Sequence, residues 1–143
     1  MRKIIITSHG SLAEGMLSAA KMILGNCDDI DAYGLDTYKE PKVIFDLIKS
    51  KIEENPTDEY VLFSDILGGS VHSKLIELCN HTNVYVVSNM TLAMILEMKL
   101  ATEENTAKIL QHTIESSKKG TLIMNHTKAL NTINQGLEDD ELW

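Results

Sequence analysis

Short β-branched and aromatic runs alternate along this chain with segments of helical period, and that alternation confines it to few folds. Arg2-Lys3-Ile4-Ile5-Ile6-Thr7 is a nearly continuous apolar run that stops at Ser8-His9-Gly10, the pattern of a strand covered on both faces of a parallel sheet. Ser11 and Glu14 match a capping box, with Ser at the N-cap and Glu three residues on. Leu12, Met16, Ala19, Ala20, Ile23 and Leu24 follow at helical spacing, and Gly25-Asn26 supplies the stop. A strand feeding a capped helix within four residues is the first half of a βαβ unit.

The unit recurs. Ile30 to Leu35 reads as a weaker second strand. Pro41 opens a helix with apolar positions Ile44, Leu47, Ile48 and Ile52, which must end before Asn55-Pro56. Tyr60 to Asp65 is a third strand, Ile66 to Gly69 a turn, and Ser70 the expected cap of a helix carrying Val71, Leu75, Leu78 and Cys79. Val84 to Val87 is a fourth strand, with Asn89 expected to cap a helix through Leu92, Ile95 and Leu96. A further helix runs from near Thr102 to Lys118-Lys119-Gly120, its basic end matching the dipole. Thr121 to Met124 reads as a fifth, edge strand, and the polar tail from Asn125 to the acidic stretch Glu138-Asp139-Asp140-Glu141 as a partly ordered, solvated end. The expectation is an α/β domain with a mainly parallel sheet and right-handed crossovers.

Composition limits what such a domain does. The 143 residues suit one domain, and 43% apolar content is ample for a core. Thirteen Lys and Arg against 21 Asp and Glu give a net charge of -8, which opposes nucleic-acid binding. Cys27 and Cys79 are too few for a disulfide scaffold and read as reduced, mostly buried residues of a cytoplasmic protein. No apolar run approaches the roughly 18 residues of a membrane helix, and the opening residues are too short for a signal peptide.

Ligands of open α/β sheets bind beyond the carboxyl ends of strands, where strand order reverses. Two polar clusters fall at such ends: Thr7-Ser8-His9-Gly10-Ser11 and Asp65-Ile66-Leu67-Gly68-Gly69-Ser70. In a 2-1-3-4 sheet, His9 and Asp65 face each other across the crevice. Asp65 then accepts from one ring nitrogen and fixes the tautomer, leaving the other nitrogen as a nucleophile. Gly68 and Gly69 permit close backbone approach to an anion, and amides at the start of the Ser70 helix favour negative charge. The combination points to a phosphoryl group carried on His9, oriented by Asp65 and bound by Gly68, Gly69 and Ser70.

These residues carry a resemblance. Ser8-His9-Gly10 with Leu12-Ala13-Glu14-Gly15, and Phe63-Ser64-Asp65-Ile66-Leu67-Gly68-Gly69-Ser70, resemble the paired motifs of the enzyme IIA component of the mannose-type sugar phosphotransferase system (PTS), over roughly residues 1 to 125. The resemblance implies a doubly wound, mainly parallel sheet of order 2-1-3-4 with helices on both faces, and a fifth strand antiparallel to the others and exchanged between the subunits of a homodimer. It also implies a phosphotransferase activity in which the histidine at position 9 takes a phosphoryl group from HPr and passes it to a IIB protein for sugar uptake. The acid at position 65 hydrogen-bonds that histidine, and the membrane is reached only through the IIC/IID transporter.

Where the family continues with Pro-Phe-Asn, this chain has Val71-His72-Ser73. His72 reads as a surface residue of the first helical turn. The IIB acceptor is expected on a separate chain, since this one stops at Trp143. Met90, Met94 and Met98 read as core or subunit contact, and Met16 as core. His81, His112 and His126 lack metal-ligand spacing, and no Walker phosphate loop is present. No metal or cofactor is therefore expected, and the phosphoryl donor should be a protein. Leu12, Ile66, Leu67 and Val71 border the site as a candidate docking surface for donor and acceptor. The rival readings are the phosphocarrier subunit of a dihydroxyacetone kinase, a regulator switched by phosphorylation at His9, and a small-molecule binding domain.

Overall fold

The apolar runs form the centre of a parallel sheet because each alternates between two buried faces. A computed structural model describes residues 1–135. Strands β1 (Arg2–Ser8), β2 (Ile30–Gly34), β3 (Glu59–Phe63) and β4 (Val84–Val87) lie in the order β2-β1-β3-β4, all parallel. In β1, Ile4 and Ile6 face one layer while Ile5 faces the other. Register carries this across the sheet: Ile4 pairs with Val61 and Ile6 with Phe63, whereas Ile5 pairs with Leu62.

Helices α1 (Leu12–Leu24), α5 (Leu92–Leu100) and α6 (Thr106–Lys119) cover the Ile4/Ile6 face. Met90, Met94 and Met98 are buried there, with Met16 packed against them, so the methionine series is core. The Ile5 face is covered by α3 (Pro41–Glu54), through Ile44, Ile48 and Ile52, and by α4 (Ser70–Leu75) with a 3-10 turn over Ile76–Asn80. Val71, Leu75 and Leu78 anchor that last unit, each buried to 1% exposure. Burying such side chains stabilises by roughly 1.5–3 kcal/mol apiece, against about 1 kcal/mol for a typical hydrogen bond. Packing therefore keeps α4 on the sheet, and hydrogen bonds decide only how it sits.

Several local expectations change. A short helix α2 (Leu35–Tyr38) follows β2 directly, within the run read as strand to Leu35. The reciprocal Ser11–Glu14 box does not form, because stronger local partners exist. Ala13 N–H donates to Ser8 Oγ at 2.6 Å, and the Glu14 carboxylate accepts from Gly34 N–H at 3.0 Å. Asn89 adopts a left-handed conformation at φ 55°, and Thr91 caps α5 instead, accepting from Met94 N–H. Asn105 caps α6, so that helix begins four residues later than expected. Cys27 is buried but Cys79 is exposed.

Residues 121–124 form no strand with this sheet. Leu122, Ile123 and Met124 are 80, 77 and 61% exposed, and the chain continues into a helix, α7 (His126–Gln135), where a solvated tail was expected. The edge of β4 carries no fifth strand among the described residues. The acidic stretch Glu138 to Glu141 lies outside the described residues. Among the described residues, no helix is long and apolar enough to cross a membrane.

A histidine–aspartate pair at the strand-order reversal

β1 and β3 are central neighbours, and the chain leaves β1 on one face and β3 on the other, so a crevice opens between their carboxyl ends. The end of β1 is fastened from both sides. Thr7 Oγ1 donates to Phe63 O at 2.8 Å, and Ser8 Oγ holds the first turn of α1. His9 sits between these ties, with Gly10 at φ 51° turning the chain into α1.

Asp65 follows β3 and closes on His9. One carboxylate oxygen, Oδ2, accepts from both His9 N–H at 2.9 Å and the ring Nδ1 at 3.0 Å, while Oδ1 accepts from Ile66 N–H at 3.1 Å. The carboxylate is 7% exposed and the imidazole 44%. Burial works against the charged form of Asp65, but the His9 backbone N–H, the ring N–H and the ring's charge outweigh it and hold the carboxyl below its ordinary value of 3.8. At neutral pH Asp65 is thus an acceptor only, which requires Nδ1 to carry the proton. Nε2 is left with its lone pair, and Ser70 Oγ lies within hydrogen-bond reach of it at 3.4 Å.

The glycines serve this closeness in different ways. Gly68 has φ 76°, a left-handed conformation that disfavours other residues. A Cβ on Gly69 would stand 3.1 Å from His9 Cε1. Gly69 N–H is engaged within the turn, on Ile66 O at 3.3 Å, so the Ser70 hydroxyl is the donor beside Nε2. Ser70 itself is the first residue of α4 and Gly69 its N-cap, one position earlier than expected.

All five residues singled out in the sequence, His9, Asp65, Gly68, Gly69 and Ser70, therefore lie on the two loops that meet at this crevice. Leu12, Ile66 and Leu67 surround it with exposures of 50, 57 and 72%. Val71 does not belong to that rim: it is core, because it points down the packed side of α4. His72 is also misplaced by sequence reasoning. It is 7% exposed, and Nδ1 lies 3.0 Å from the buried Ser64 hydroxyl. The helical stripe is Val71, Leu75 and Leu78, and position 72 lies beside it rather than on it, so the pattern alone does not mark His72 as buried. Among the described residues, no group of three or more His, Cys, Asp or Glu is placed to hold a metal ion.

A nucleophilic nitrogen, fixed from behind by a carboxylate and open at the front, suits covalent group transfer. Residues 3–115 match the protein family described as the PTS system fructose IIA component. Among solved structures, a candidate phosphoenolpyruvate-dependent sugar PTS permease from Klebsiella pneumoniae is 28% identical. It covers 88% of this chain and 93% of its own, with a TM-score of 0.77. The PTS component EIIA of Streptococcus agalactiae, 23% identical with coverages of 86 and 97%, also superposes at 0.77. The mannose/sorbose-specific IIA subunit from Enterococcus faecalis, 20% identical with coverages of 87 and 96%, gives 0.74. The last two speak to the fold. No curated protein matches the chain.

Proposed function

Since the chain belongs to the family of PTS fructose-type IIA components, we propose that it is a phosphoryl carrier in which His9 Nε2 takes a phosphoryl group from phospho-HPr and passes it to a IIB protein during sugar uptake. The observation that carries this reading is the double acceptance by Asp65 Oδ2, from His9 N–H at 2.9 Å and from Nδ1 at 3.0 Å. It sets both the direction of the ring and the tautomer.

The Nε2 lone pair attacks phosphorus in line with the P–N bond of the donor histidine. That bond breaks, and its electron pair returns to the donor ring. His9 now carries phosphorus on Nε2 and a proton on Nδ1, so its ring is cationic, and the adjacent Asp65 carboxylate stabilises that charge. Transfer to IIB runs the same steps in reverse, with the His9 P–N bond breaking. Positioning and electrostatics do nearly all the work in such a transfer. Ser70 Oγ meets the phosphoryl oxygens, and Gly68 and Gly69, lacking side chains, let the turn approach them closely. Leu12, Ile66 and Leu67 are the apolar rim on which HPr and IIB dock in turn.

The carrier acts in the cytoplasm as one IIA domain, and we read it as a homodimer. Two observations support the dimer. Leu122, Ile123 and Met124 expose a continuous apolar run, and the β4 edge opens on a groove of about 470 Å³ lined by Tyr85, Val87, Met94, Leu110 and Ile114. Exchange of residues 121–124 as an antiparallel fifth strand covers both.

Incubation with enzyme I, HPr and phosphoenolpyruvate tests the carrier reading. Wild type should gain one acid-labile, alkali-stable phosphate, His9→Ala none, and added IIB should drain the label. Equal labelling of His9→Ala, or an unlabelled wild type, would sink it. Label that IIB leaves in place favours a regulator, and label that drains only to a dihydroxyacetone kinase favours that subunit.

A further inference from the structure

We propose that His72 is a positioning residue for this transfer: its buried bond to Ser64 sets the first turn of α4, and hence Gly69 and Ser70, against the His9 ring. The inference rests on the carrier reading above. Ser64 is fully buried and its backbone is held on both sides, donating to Val87 O at 2.8 Å and accepting from Met90 N–H at 3.0 Å. Its hydroxyl is therefore a fixed point at the end of the central sheet. His72, on α4, meets that hydroxyl through Nδ1 at 3.0 Å.

Between these two residues runs the loop that grips His9. Asp65 reaches the ring at one end of the loop, 3.0 Å from Nδ1, and Ser70 at the other, 3.4 Å from Nε2. The turn's own ties are long, with Gly69 N–H on Ile66 O at 3.3 Å and Ser73 Oγ on Gly68 O at 3.4 Å. Ser73 N–H on Gly69 O at 2.9 Å binds the turn to α4 and so moves with that helix. Ile66 and Leu67 are exposed. The Ser64–His72 bond is the short, buried closure of that loop. Because Val71 and Leu75 independently hold α4 to the core, losing the closure leaves the helix attached but free to shift. Displacements of about 1 Å at a reacting centre slow transfer by up to about 100-fold.

The decisive variants are His72→Phe, which keeps bulk without the polar atom, His72→Asn, which returns an amide group near the place of Nδ1, and Ser64→Ala/His72→Phe, which leaves no hydroxyl unpaired. Single-turnover transfer from phosphorylated protein to IIB should fall roughly tenfold in His72→Phe through the maximal rate rather than half-saturation. Nitrogen-15 spectra of His9 should show its single Nδ1–H tautomer giving way to a mixture. His72→Asn should recover most of the rate. The double variant should recover melting temperature but not rate, and it carries the test if His72→Phe fails to fold. Wild-type rate and tautomer in the double variant would overturn the positioning role while leaving the carrier reading intact. A wild type that takes no phosphate would overturn both.

Discussion

The crevice between β1 and β3 and the stretch from Thr121 to Met124 are both built from short, motif-like segments, yet they end in opposite conditions. At the crevice, Asp65 accepts three N–H groups, Ser8 and Thr7 are tied, and even the buried Ser64 hydroxyl has a partner. At 121–124, three large apolar side chains stand mostly in solvent, beside a sheet edge without a strand. The first region is satisfied by its own chain. The second has strand chemistry and no strand partner among the described residues. A polar site is completed locally because each hydrogen bond needs one nearby atom. An edge strand needs a whole second backbone, which only another element supplies.

Asp65→Ala should break the first region most severely. Without the acceptor, nothing selects the Nδ1–H tautomer or offsets the cationic ring, and single-turnover transfer should drop by about 10² or more. Stability should change far less at neutral pH, as checked by urea titration alongside the kinetics; an unaltered transfer rate would remove the orienting role. The pH dependence has a definite sign. Because the folded carboxyl of Asp65 is held below 3.8, its contribution is complete above that value and is lost as pH falls through the lower folded value. The difference in urea midpoint between wild type and Asp65→Ala should therefore shrink below about pH 3.8 and stay constant above it.

Ile123→Asp probes the second region. If residues 121–124 exchange as proposed, a charge there should weaken self-association by roughly tenfold or more, since an unpaired charge is costly to bury. Sedimentation at graded concentration reads this, and phosphate uptake from HPr should be nearly unchanged. If Ile123→Asp instead stops labelling, the two regions are not independent. The smallest effect belongs to Gly69→Ala: with its Cβ 3.1 Å from His9 Cε1, the ring or the turn must yield by a few tenths of an ångström. A loss of roughly three- to tenfold in transfer is expected, with unchanged self-association.

Much of this was legible before any coordinates. The Arg2–Thr7 and Tyr60–Phe63 runs were recognisable as doubly covered strands because each side of a parallel sheet is buried, which forces apolar residues at consecutive positions. His9 and Asp65 were identifiable because polar residues that end such runs must lie at the rim. Capping was less legible. Ser11 stands at the N-cap of α1 as expected but makes no side-chain capping bond, and Gly69 and Thr91 take the N-cap positions expected of Ser70 and Asn89. A cap depends on a few degrees of backbone geometry, and Ser8, one turn earlier, was better placed than Ser11. His72 was read as exposed because histidine at a helix start usually is. Only the tilt of α4, with Val71 and Leu75 down, turns position 72 toward Ser64.

What the sequence by itself determined is the order of strands and helices and the identity of the two loops at their ends, because both follow from local periodicity and from where it stops. The expected order 2-1-3-4 makes β1 and β3 neighbours, and the tertiary structure decided which atoms of residues 56 positions apart share a hydrogen bond there. It also decided that Oδ2 faces Nδ1 and leaves Nε2 open, that His72 is inside, and that residues 121–124 find no strand partner in their own sheet. Periodicity describes one segment at a time. Which two segments meet, at 3.0 Å and with which atoms, is settled only when all of them pack at once.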